Sequence, residues 1–457
     1  MSKVSTLFSP KRDVDMSSGS IIRHLINFSL PLMLGNLFQI LYNTVDTWVL
    51  GNYVEGKAYE AVGSVGSITT LLVGLFMGLS AGAGVVISQY YGAKQEEKVQ
   101  ETVHTSIMMT LILGVVFTVI GIAITTFMLG LMNMPDSAIP DATTYLTIYF
   151  AGIMGLMVYN IGAGILRAVG DSQRPFYFLV ICALLNTVLD LLFVLAFRMG
   201  VAGVALATIL SQIISAVLVL LVLMRSNNCV KLSLRKLKIH WPILRKILIV
   251  GVPAAIQMAI TSFSNIFVQG YINHFGTACM GGWTSYSKID SVVMIPMSSI
   301  SLASTTFVAQ NLGKNQVARA KKGVSTALLL CVLTTIGLSI PVMIFAPQLA
   351  AFFKDEPGIL EHAVLMLRWM TPFYFVSCFT NIYSGALRGA GNSKAPMIIM
   401  LSSYVGFRQV YLFFMSRVCN KVLPIILSYP AAWIVCALCL TIYYHHTNLE
   451  KSRLVED

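Results

Sequence analysis

About a dozen apolar segments, each long enough to cross a bilayer, run through this chain between residues 21 and 444. The chain is 56% hydrophobic and only 11% charged, whereas a soluble domain carries about a quarter charged residues. No soluble fold of 457 residues can bury so much apolar surface. The sequence therefore predicts an all-α polytopic membrane protein with twelve transmembrane helices.

The formal net charge is +12, but its distribution argues against a nucleic-acid partner. Lys and Arg concentrate in connections on one side of the predicted spans, and the longest basic connection is Arg225–Lys246. The positive-inside rule then puts both termini in the cytoplasm, with membrane lipid as the partner of the basic loops. We predict a cytoplasmic segment 1–20, an N-lobe 21–224, a cytoplasmic linker 225–243, a C-lobe 244–446 and a cytoplasmic tail 447–457.

The two halves repeat each other. YNIGAGILRAVGDSQRP (Tyr159–Pro175) aligns with TNIYSGALRGAGNSKAP (Thr380–Pro396), and Ile87–Gln95 aligns with Val308–Gln316, both at an offset of 221. Six spans in each half give both halves the same orientation in the membrane. The repeat therefore predicts two pseudo-symmetric six-helix bundles, an arrangement in which transporters alternate access to a central site.

A polar stripe lies in the first apolar segment. Asn36, Gln39, Asn43 and Asp46 are spaced by three, four and three residues, which puts them on one face of a helix. A carboxylate in a span costs roughly 2.5–3.5 kcal/mol on insertion scales, so the stripe should face a bundle interior or a water-filled cavity. We assign Tyr42 to the same predicted cavity; a polar contact between packed helices is the alternative.

Candidate partners for Asp46 occur in the fifth and sixth spans. Asn186 and Asp190 lie one turn apart, and Thr208 lies among apolar residues. At 1.5 Å per residue, all four residues fall in the outer half of the N-lobe. Two carboxylates that converge in a low dielectric cannot both stay ionised cheaply, so the site should bind H⁺ or Na⁺. An inert hydrogen-bonded cluster is the alternative.

The C-lobe lacks this arrangement. Val268 and Tyr411 stand at the positions of the two N-lobe aspartates, at offsets of 222 and 221. Its own intramembrane charges are Asp290, Arg368 and Arg408, which share one depth by the same helical rise. We predict a structural ion pair between Asp290 and one of these arginines; attraction of a cationic substrate by Asp290 is the rival role.

Three stretches resemble the multidrug and toxic compound extrusion (MATE) family: YNTVDTWVLG around Asp46, LRAVGDSQRP and VAQNLGKNQ. The resemblance implies two six-helix lobes that export cationic or amphipathic compounds against entry of H⁺ or Na⁺. For the prokaryotic branch it assigns coupling to Asp46, Asn186, Asp190 and Thr208, and a cavity role to Gln39. Another branch uses a glutamate in span seven, which this chain lacks.

We therefore expect a monomeric secondary active efflux transporter in the cell membrane, with no cofactor beyond its coupling ion. A flippase for lipid-linked saccharides or lipids is the alternative, although anionic diphosphate head groups would favour several unpaired cations in the cavity. An enzyme is not expected. The pattern G-x-S-x-G from Gly78 to Gly82 lies in an apolar segment, whereas a nucleophile elbow needs a strand–turn–helix.

Overall fold

The computed structural model describes residues 14–54, 58–131, 134, 136–419 and 421–455. These residues contain 12 helical segments that are long and apolar enough to cross a membrane. The predicted all-α polytopic architecture with twelve transmembrane helices is therefore confirmed.

The first six helices are long and mostly continuous. They are α1 Ile21–Tyr53, α2 Ala58–Gly92, α3 Glu96–Leu131, α4 Ile139–Ala168, α5 Gln173–Leu191 and α6 Gly200–Arg225. A π-helical turn, Leu192–Ala196, follows α5 directly. Such turns are rare and occur most often near functional sites.

Several spans of the second half are built from two shorter helices. Its helices are α7 Trp241–Asn273, α8 Thr277–Gly313, α9 Val317–Ile344, α10 Ala346–Phe353, α11 Pro357–Met370, α12 Tyr374–Ala390, α13 Lys394–Leu401, α14 Arg408–Val418, α15 Val422–Ile426 and α16 Ser428–His446. A second π-helical turn, Ser402–Phe407, joins α13 to α14. Here the break precedes Arg408, one of the intramembrane charges.

The chain forms two compact units whose boundaries differ from the predicted lobes. Most of the first unit is Leu34–Leu248, whereas the second unit contains Met16–Met33 as well as Ile249–Asp457. The start of α1 thus belongs to the second unit, where Leu25 and Phe28 are part of the apolar core. The boundary between the two units therefore falls within α1, just after Pro31, a residue that has no backbone N–H to donate.

The predicted linker 225–243 packs against the first unit. The Leu232 amide donates to the Leu223 carbonyl at 3.0 Å, and the Ser233 amide donates to His104 Nε2 at 3.1 Å. Because these bonds tie the connection down, it is an ordered part of that unit.

The same internal contacts occur in both units at the predicted offset. Ser80 Oγ donates to the Asn160 carbonyl at 2.8 Å, and Ser301 Oγ donates to the Asn381 carbonyl at 2.7 Å. In each unit this bond fastens the second membrane span of the repeat to the fourth. The sequence repeat therefore corresponds to a repeated scaffold.

The aligned LRAVGD and LRGAGN loops also share one geometry. Gly170 and Gly391 have φ values of 86° and 101°, a left-handed conformation that glycine adopts without a steric penalty. The next residue donates its amide back to a helix carbonyl in both loops, Asp171 to Leu166 and Asn392 to Leu387. Each loop thus ends one helix and starts the next in the same way.

Candidate ion-binding site and cavity

A cavity of about 290 Å³ lies within the first unit. Four helices supply its walls: α1, α2, α4 and α6. The polar residues that line it are Gln39, Tyr42, Asn43, Asp46, Thr69, Thr70, Tyr145, Tyr149, Thr208 and Gln212. The walls therefore combine one carboxylate with amide, hydroxyl and phenol groups.

The polar stripe of α1 faces this cavity along most of its length. Gln39, Asn43 and Asp46 all line the cavity, as does Tyr42. The side chains of Gln39 and Tyr42 are hydrogen-bonded to each other. Asn36, one turn before Gln39, is not part of the lining. The helical spacing thus placed the face correctly but extended it one turn too far.

Asp190 on α5 lies next to Asp46 but is not among the residues that line the cavity. The two carboxyl groups lie within hydrogen-bonding distance of each other. Asp190 is 0% exposed, and neither of its carboxyl oxygens accepts a hydrogen bond from a donor group among the residues that the structure describes. Two ionised carboxylates in such surroundings repel each other strongly. A shared proton or a cation between them would remove that repulsion.

Asn186 lies one helical turn before Asp190 on α5, and Thr208 lines the same cavity as Asp46. Asn186 is 1% exposed, and its side-chain oxygen and nitrogen have no hydrogen-bond partner in the described part of the chain. Thr208 Oγ1 donates to the Val204 carbonyl at 3.0 Å, so its lone pairs remain available as acceptors. Carboxylate, amide and hydroxyl oxygens are ligands that suit a hard cation such as Na⁺.

Close packing of α4 against α6 holds Thr208 in place. A Cβ added to Gly152 would collide with the Ile209 side chain, and one added to Gly155 would lie 3.1 Å from the Ile213 backbone. Small residues at a helix interface allow this approach in membrane proteins. The glycines of α4 therefore fix the depth and angle of the α6 face that carries Thr208.

Sequence reasoning missed five polar residues of the lining: Tyr145 and Tyr149 on α4, Thr69 and Thr70 on α2, and Gln212 on α6. The rings of Tyr145 and Tyr149 stack with centroids 6.2 Å apart. A signal existed for some of them. The two tyrosines are spaced by four residues, and Gln212 follows Thr208 by four, so each pair shares a helix face.

The predicted ion pair of the C-lobe is wrong for this structure. Asp290 belongs to the second unit, where it accepts a hydrogen bond from Tyr286 Oη at 3.2 Å. It forms no ion pair with Arg368 or Arg408 among the described side chains, and Arg368 is exposed. Helical rise gave the depth of these residues but not the direction in which each side chain leaves its helix.

Arg408 has polar partners of its own. Its Nη2 donates to Ser264 Oγ at 2.6 Å and to Asn265 Oδ1 at 3.0 Å. Its guanidinium carbon also lies 4.5 Å from the centre of the Tyr429 ring, a cation–π geometry. These contacts account for a buried arginine without a carboxylate.

Comparison with known proteins identifies the family. A family model described as MatE matches residues 31–192 and 253–413. The chain belongs to the MatE family. The two matched stretches cover corresponding parts of the internal repeat, from the proline of the first helix in each half.

Among curated relatives of this MatE chain, the probable multidrug resistance protein YoeA of Bacillus subtilis is 30% identical and aligns over 96% of this chain and 97% of its own length. The probable multidrug resistance protein NorM of Thermotoga maritima is 27% identical over 86% of this chain and 84% of its own length. Both relatives align over most of their length.

A solved structure has the same fold. It is described as an outward-facing conformation of a multidrug resistance MATE family transporter of the MOP superfamily, and it superposes with a TM-score of 0.90 over 96% of this chain and 98% of its own. Its sequence is 23% identical. The likeness establishes the fold and agrees with the family assignment made from sequence.

Proposed function

We propose that this protein is a secondary active multidrug efflux transporter that exports cationic or amphipathic compounds in exchange for H⁺ or Na⁺. One observation carries the proposal: a close pair of carboxyl groups, half-buried Asp46 and fully buried Asp190, whose first member also lines the cavity of the first unit. An ionisable residue in a membrane span is costly and usually functional. Two relatives, YoeA and NorM, are named as probable multidrug resistance proteins, which supports this class of substrate.

The site residues have distinct roles in this proposal. Asp46 and Asp190 bind the ion, and Asn186 and Thr208 supply neutral oxygens beside it. With the ion bound, the negative charge in the cavity wall falls, which weakens the hold on a cationic compound. Release of the ion restores the charge and the affinity. The ion and the compound are therefore exchanged, because the same carboxylates cannot bind both cations tightly at the same time.

The proposal includes the place where the protein works, as a multi-pass monomer in the cell membrane. Both termini are assigned to the cytoplasm, because Lys and Arg concentrate in the connections on that side. The carboxylate of the cavity wall, Asp46, also fits a cationic compound better than the anionic head group of a lipid-linked saccharide.

Transport by vesicles tests the proposal. Ethidium, a fluorescent organic cation, would be added outside everted membrane vesicles, whose outer face is the cytoplasmic one, under an H⁺ or Na⁺ gradient directed out of the lumen. We expect wild type to move ethidium with at least one gradient, and Asp46→Asn and Asp190→Asn to lose that dependence. Glu97→Gln is the matched control, because it removes an exposed carboxylate from α3 of the same unit. Full ion-driven export by both aspartate variants would overturn the assignment.

A further inference from the structure

A second cavity of the first unit, of about 490 Å³, takes no part in the proposed coupling site. It lies at the ends of three membrane spans, where α2 ends at Gly92, α3 begins at Glu96 and the linker follows α6. The residues that line it are Asp15, Tyr91, Gly92, Lys94, Glu96, Val99, Asn227, Asn228 and Cys229. Most of these side chains are polar, and they carry both signs of charge.

The corresponding region of the second unit is apolar and packed. Three polar residues of the cavity have apolar counterparts at the repeat offset of 221, the pairs being Tyr91 and Leu312, Glu96 and Val317, and Asn228 and Leu449. Leu312 and Leu449 are 0% exposed, and Val317 packs against the same hydrophobic core. Buried apolar side chains stabilise a fold. The first unit therefore forgoes packing at a place where its own repeat shows that packing is possible, and binding of a polar ligand accounts for the difference.

The turn between α2 and α3 places a lysine where the backbone favours another residue. Lys94 has a φ of 58°, and its counterpart Asn315 has a φ of 62°. Asparagine enters this left-handed region more readily than lysine does. Asn315 Oδ1 accepts a hydrogen bond from Arg453 Nη1 at 3.2 Å, so this asparagine serves the fold of its own unit. Lys94 is exposed and forms no ion pair with a described side chain. Its ammonium group is therefore available to an anion.

One part of the lining suits a phosphate group. Lys94 supplies a positive charge, and the side chains of Asn227 and Asn228 carry amide donors. Lysine binds phosphates as a point charge, and amide donors add hydrogen bonds to the same oxygens. Because all three residues line one cavity, they can contact one phosphate.

The other part of the lining suits a protonated amine. Asp15 and Glu96 both line the cavity, and an ionised carboxylate only accepts hydrogen bonds. A primary ammonium group donates three, so it matches two carboxylates. A quaternary ammonium group is recognised instead by a cage of aromatic faces, and among the described lining residues only Tyr91 is aromatic. The lining therefore favours a primary amine over choline.

The position of the cavity indicates the source of such a ligand. The hydrocarbon core of a bilayer is about 30 Å thick and is flanked by the headgroup regions, so the ends of membrane spans lie at the level of the phospholipid headgroups. The volume of about 490 Å³ falls within the roughly 300–1,000 Å³ of small-molecule sites. A headgroup that joins a phosphate to a primary amine is phosphoethanolamine.

We propose that this cavity binds the headgroup of phosphatidylethanolamine, with Lys94 and Asn227 on the phosphate and Asp15 and Glu96 on the ammonium group. The same chemistry occurs in soluble esters of phosphoethanolamine, which the experiment must distinguish from the lipid. The site is separate from the coupling carboxylates and does not depend on transport. The proposed orientation places it at the cytoplasmic leaflet.

A lipid titration tests the site on the purified full-length protein. The protein in detergent micelles would be titrated with dioleoylphosphatidylethanolamine or with dioleoylphosphatidylcholine, and native mass spectrometry would count the lipid-bound species. We expect wild type to bind the ethanolamine lipid about tenfold more tightly than the choline lipid. The double variant Lys94→Gln with Glu96→Gln should lose that preference, because both charge partners are removed.

A matched control keeps the net charge and the helix the same. Glu97→Gln with Lys98→Gln also removes one acid and one base, but neither residue lines the cavity. This variant should retain the wild-type preference. Glu96→Val, which copies Val317 of the second unit, should lose the preference while thermal unfolding shows a folded protein. The site is overturned if wild type does not prefer the ethanolamine lipid, or if the cavity variant and the control variant behave alike.

A competition arm separates the lipid from a soluble ester. Glycerophosphoethanolamine, which has the same headgroup without the acyl chains, would be added to the wild-type protein loaded with the ethanolamine lipid. We expect it to displace the lipid only at concentrations at least about a hundredfold above those of the lipid, since it lacks the apolar contacts of the chains. Displacement at equal concentrations would assign the cavity to a soluble ester and would overturn the lipid assignment.

Failure of this inference and failure of the proposed function look different. If the lipid site is absent, the Lys94 and Glu96 double variant binds both lipids as wild type does, whereas ion-driven export still depends on Asp46. If the protein is not an ion-coupled exporter, wild-type vesicles show no gradient-driven transport of ethidium, whatever the lipid titration gives.

Discussion

The two units of the molecule share a scaffold and differ in their chemistry. Each fastens its second helix to its fourth through the same serine-to-carbonyl bond, and each closes the same loop with a left-handed glycine. The buried polar positions differ, however. Asp46 and Asp190 of the first unit correspond to Val268 and Tyr411 of the second. Structural contacts were thus kept in both copies, whereas ionisable groups were not.

The difference also extends to the sixth helix of each repeat. At an offset of 221, Thr208 corresponds to Tyr429, so a hydroxyl that lines the cavity together with Asp46 is replaced by a ring that packs against Arg408 and Trp283. The first unit places an oxygen atom suited to a small ion at this position, and the second places a ring that packs on an arginine. The two copies of one fold therefore carry different chemistry at corresponding positions.

The strongest test exchanges residues between the units. Val268 is 0% exposed, so Val268→Asp should lower the stability of the protein by roughly 2.5–3.5 kcal/mol, the insertion cost of a carboxylate without a partner. Asp46→Val should abolish ion-driven export and leave stability equal or higher. Thermal unfolding in detergent and vesicle export measure the two effects. Val268→Thr is the size-matched control.

A stable Val268→Asp protein would break this comparison. It would mean that the second unit tolerates a carboxylate at position 268, so that the cost of burying a charge does not explain why valine stands there. Asp46→Val with intact coupling would remove Asp46 from the ion site.

The role of Thr208 can be separated from that of the carboxylates. Thr208→Val removes one oxygen at constant shape, so a Na⁺ ion would lose a ligand, whereas a proton needs only the acid pair. We expect the ratio of Na⁺-driven to H⁺-driven export to fall about tenfold. Thr208→Ser keeps the oxygen and should preserve the ratio. Equal rates for Thr208→Val and wild type with both gradients would exclude Thr208 from the site.

Glycine contacts test whether the shared scaffold is equally tight in both units. A Cβ on Gly164 would collide with the Ser80 hydroxyl, whereas one on Gly385 would lie 2.8 Å from the Ser301 backbone carbonyl. A hydroxyl can rotate away and a carbonyl cannot, so Gly385→Ala should cost more stability, within about 1–3 kcal/mol. Thermal unfolding of each variant measures the difference.

Paired variants sharpen that result. Ser80→Ala combined with Gly164→Ala should recover part of the stability lost in Gly164→Ala, because the colliding atom is removed, although the bond to the Asn160 carbonyl is lost with it. Ser301→Ala combined with Gly385→Ala should not, since the backbone carbonyl remains. If the double variants regained the same stability in both units, the two helix interfaces would accommodate the added methyl group in the same way.

Much of the fold was predictable because membrane helices obey simple length and composition rules. Part of the site was predictable for the same reason: depth along a helix can be counted, and it placed Asp46 and Asp190 at one level. The angle around a helix axis is harder to predict, because neighbouring helices set it. For this reason Asp290 pairs with Tyr286 and not with an arginine, and Asn36 falls outside the cavity.

The uncharged residues that line the cavity were also not predicted from the sequence. Tyr145 and Gln212 line the cavity, but tyrosine and glutamine are common in helices that pack against other helices, so their spacing alone does not distinguish a cavity from a core. The unit boundary within α1 was missed because the hydropathy of this helix does not change at Pro31. Only tertiary packing assigns its two halves to different units.

The smallest expected effect concerns the helix caps after the repeated loops. Asp171 Oδ1 accepts from the amides of Gln173 and Arg174, both at 3.1 Å, whereas Asn392 Oδ1 accepts from the Ala395 amide at 3.2 Å. Loss of a cap costs about 1 kcal/mol, so Asp171→Ala should destabilise slightly more than Asn392→Ala. Asp171→Asn keeps the acceptor and should fall between wild type and Asp171→Ala. If thermal unfolding ranks Asn392→Ala as the more damaging change, the bond from Asn392 Nδ2 to Tyr443 Oη, at 3.0 Å, contributes more than the cap.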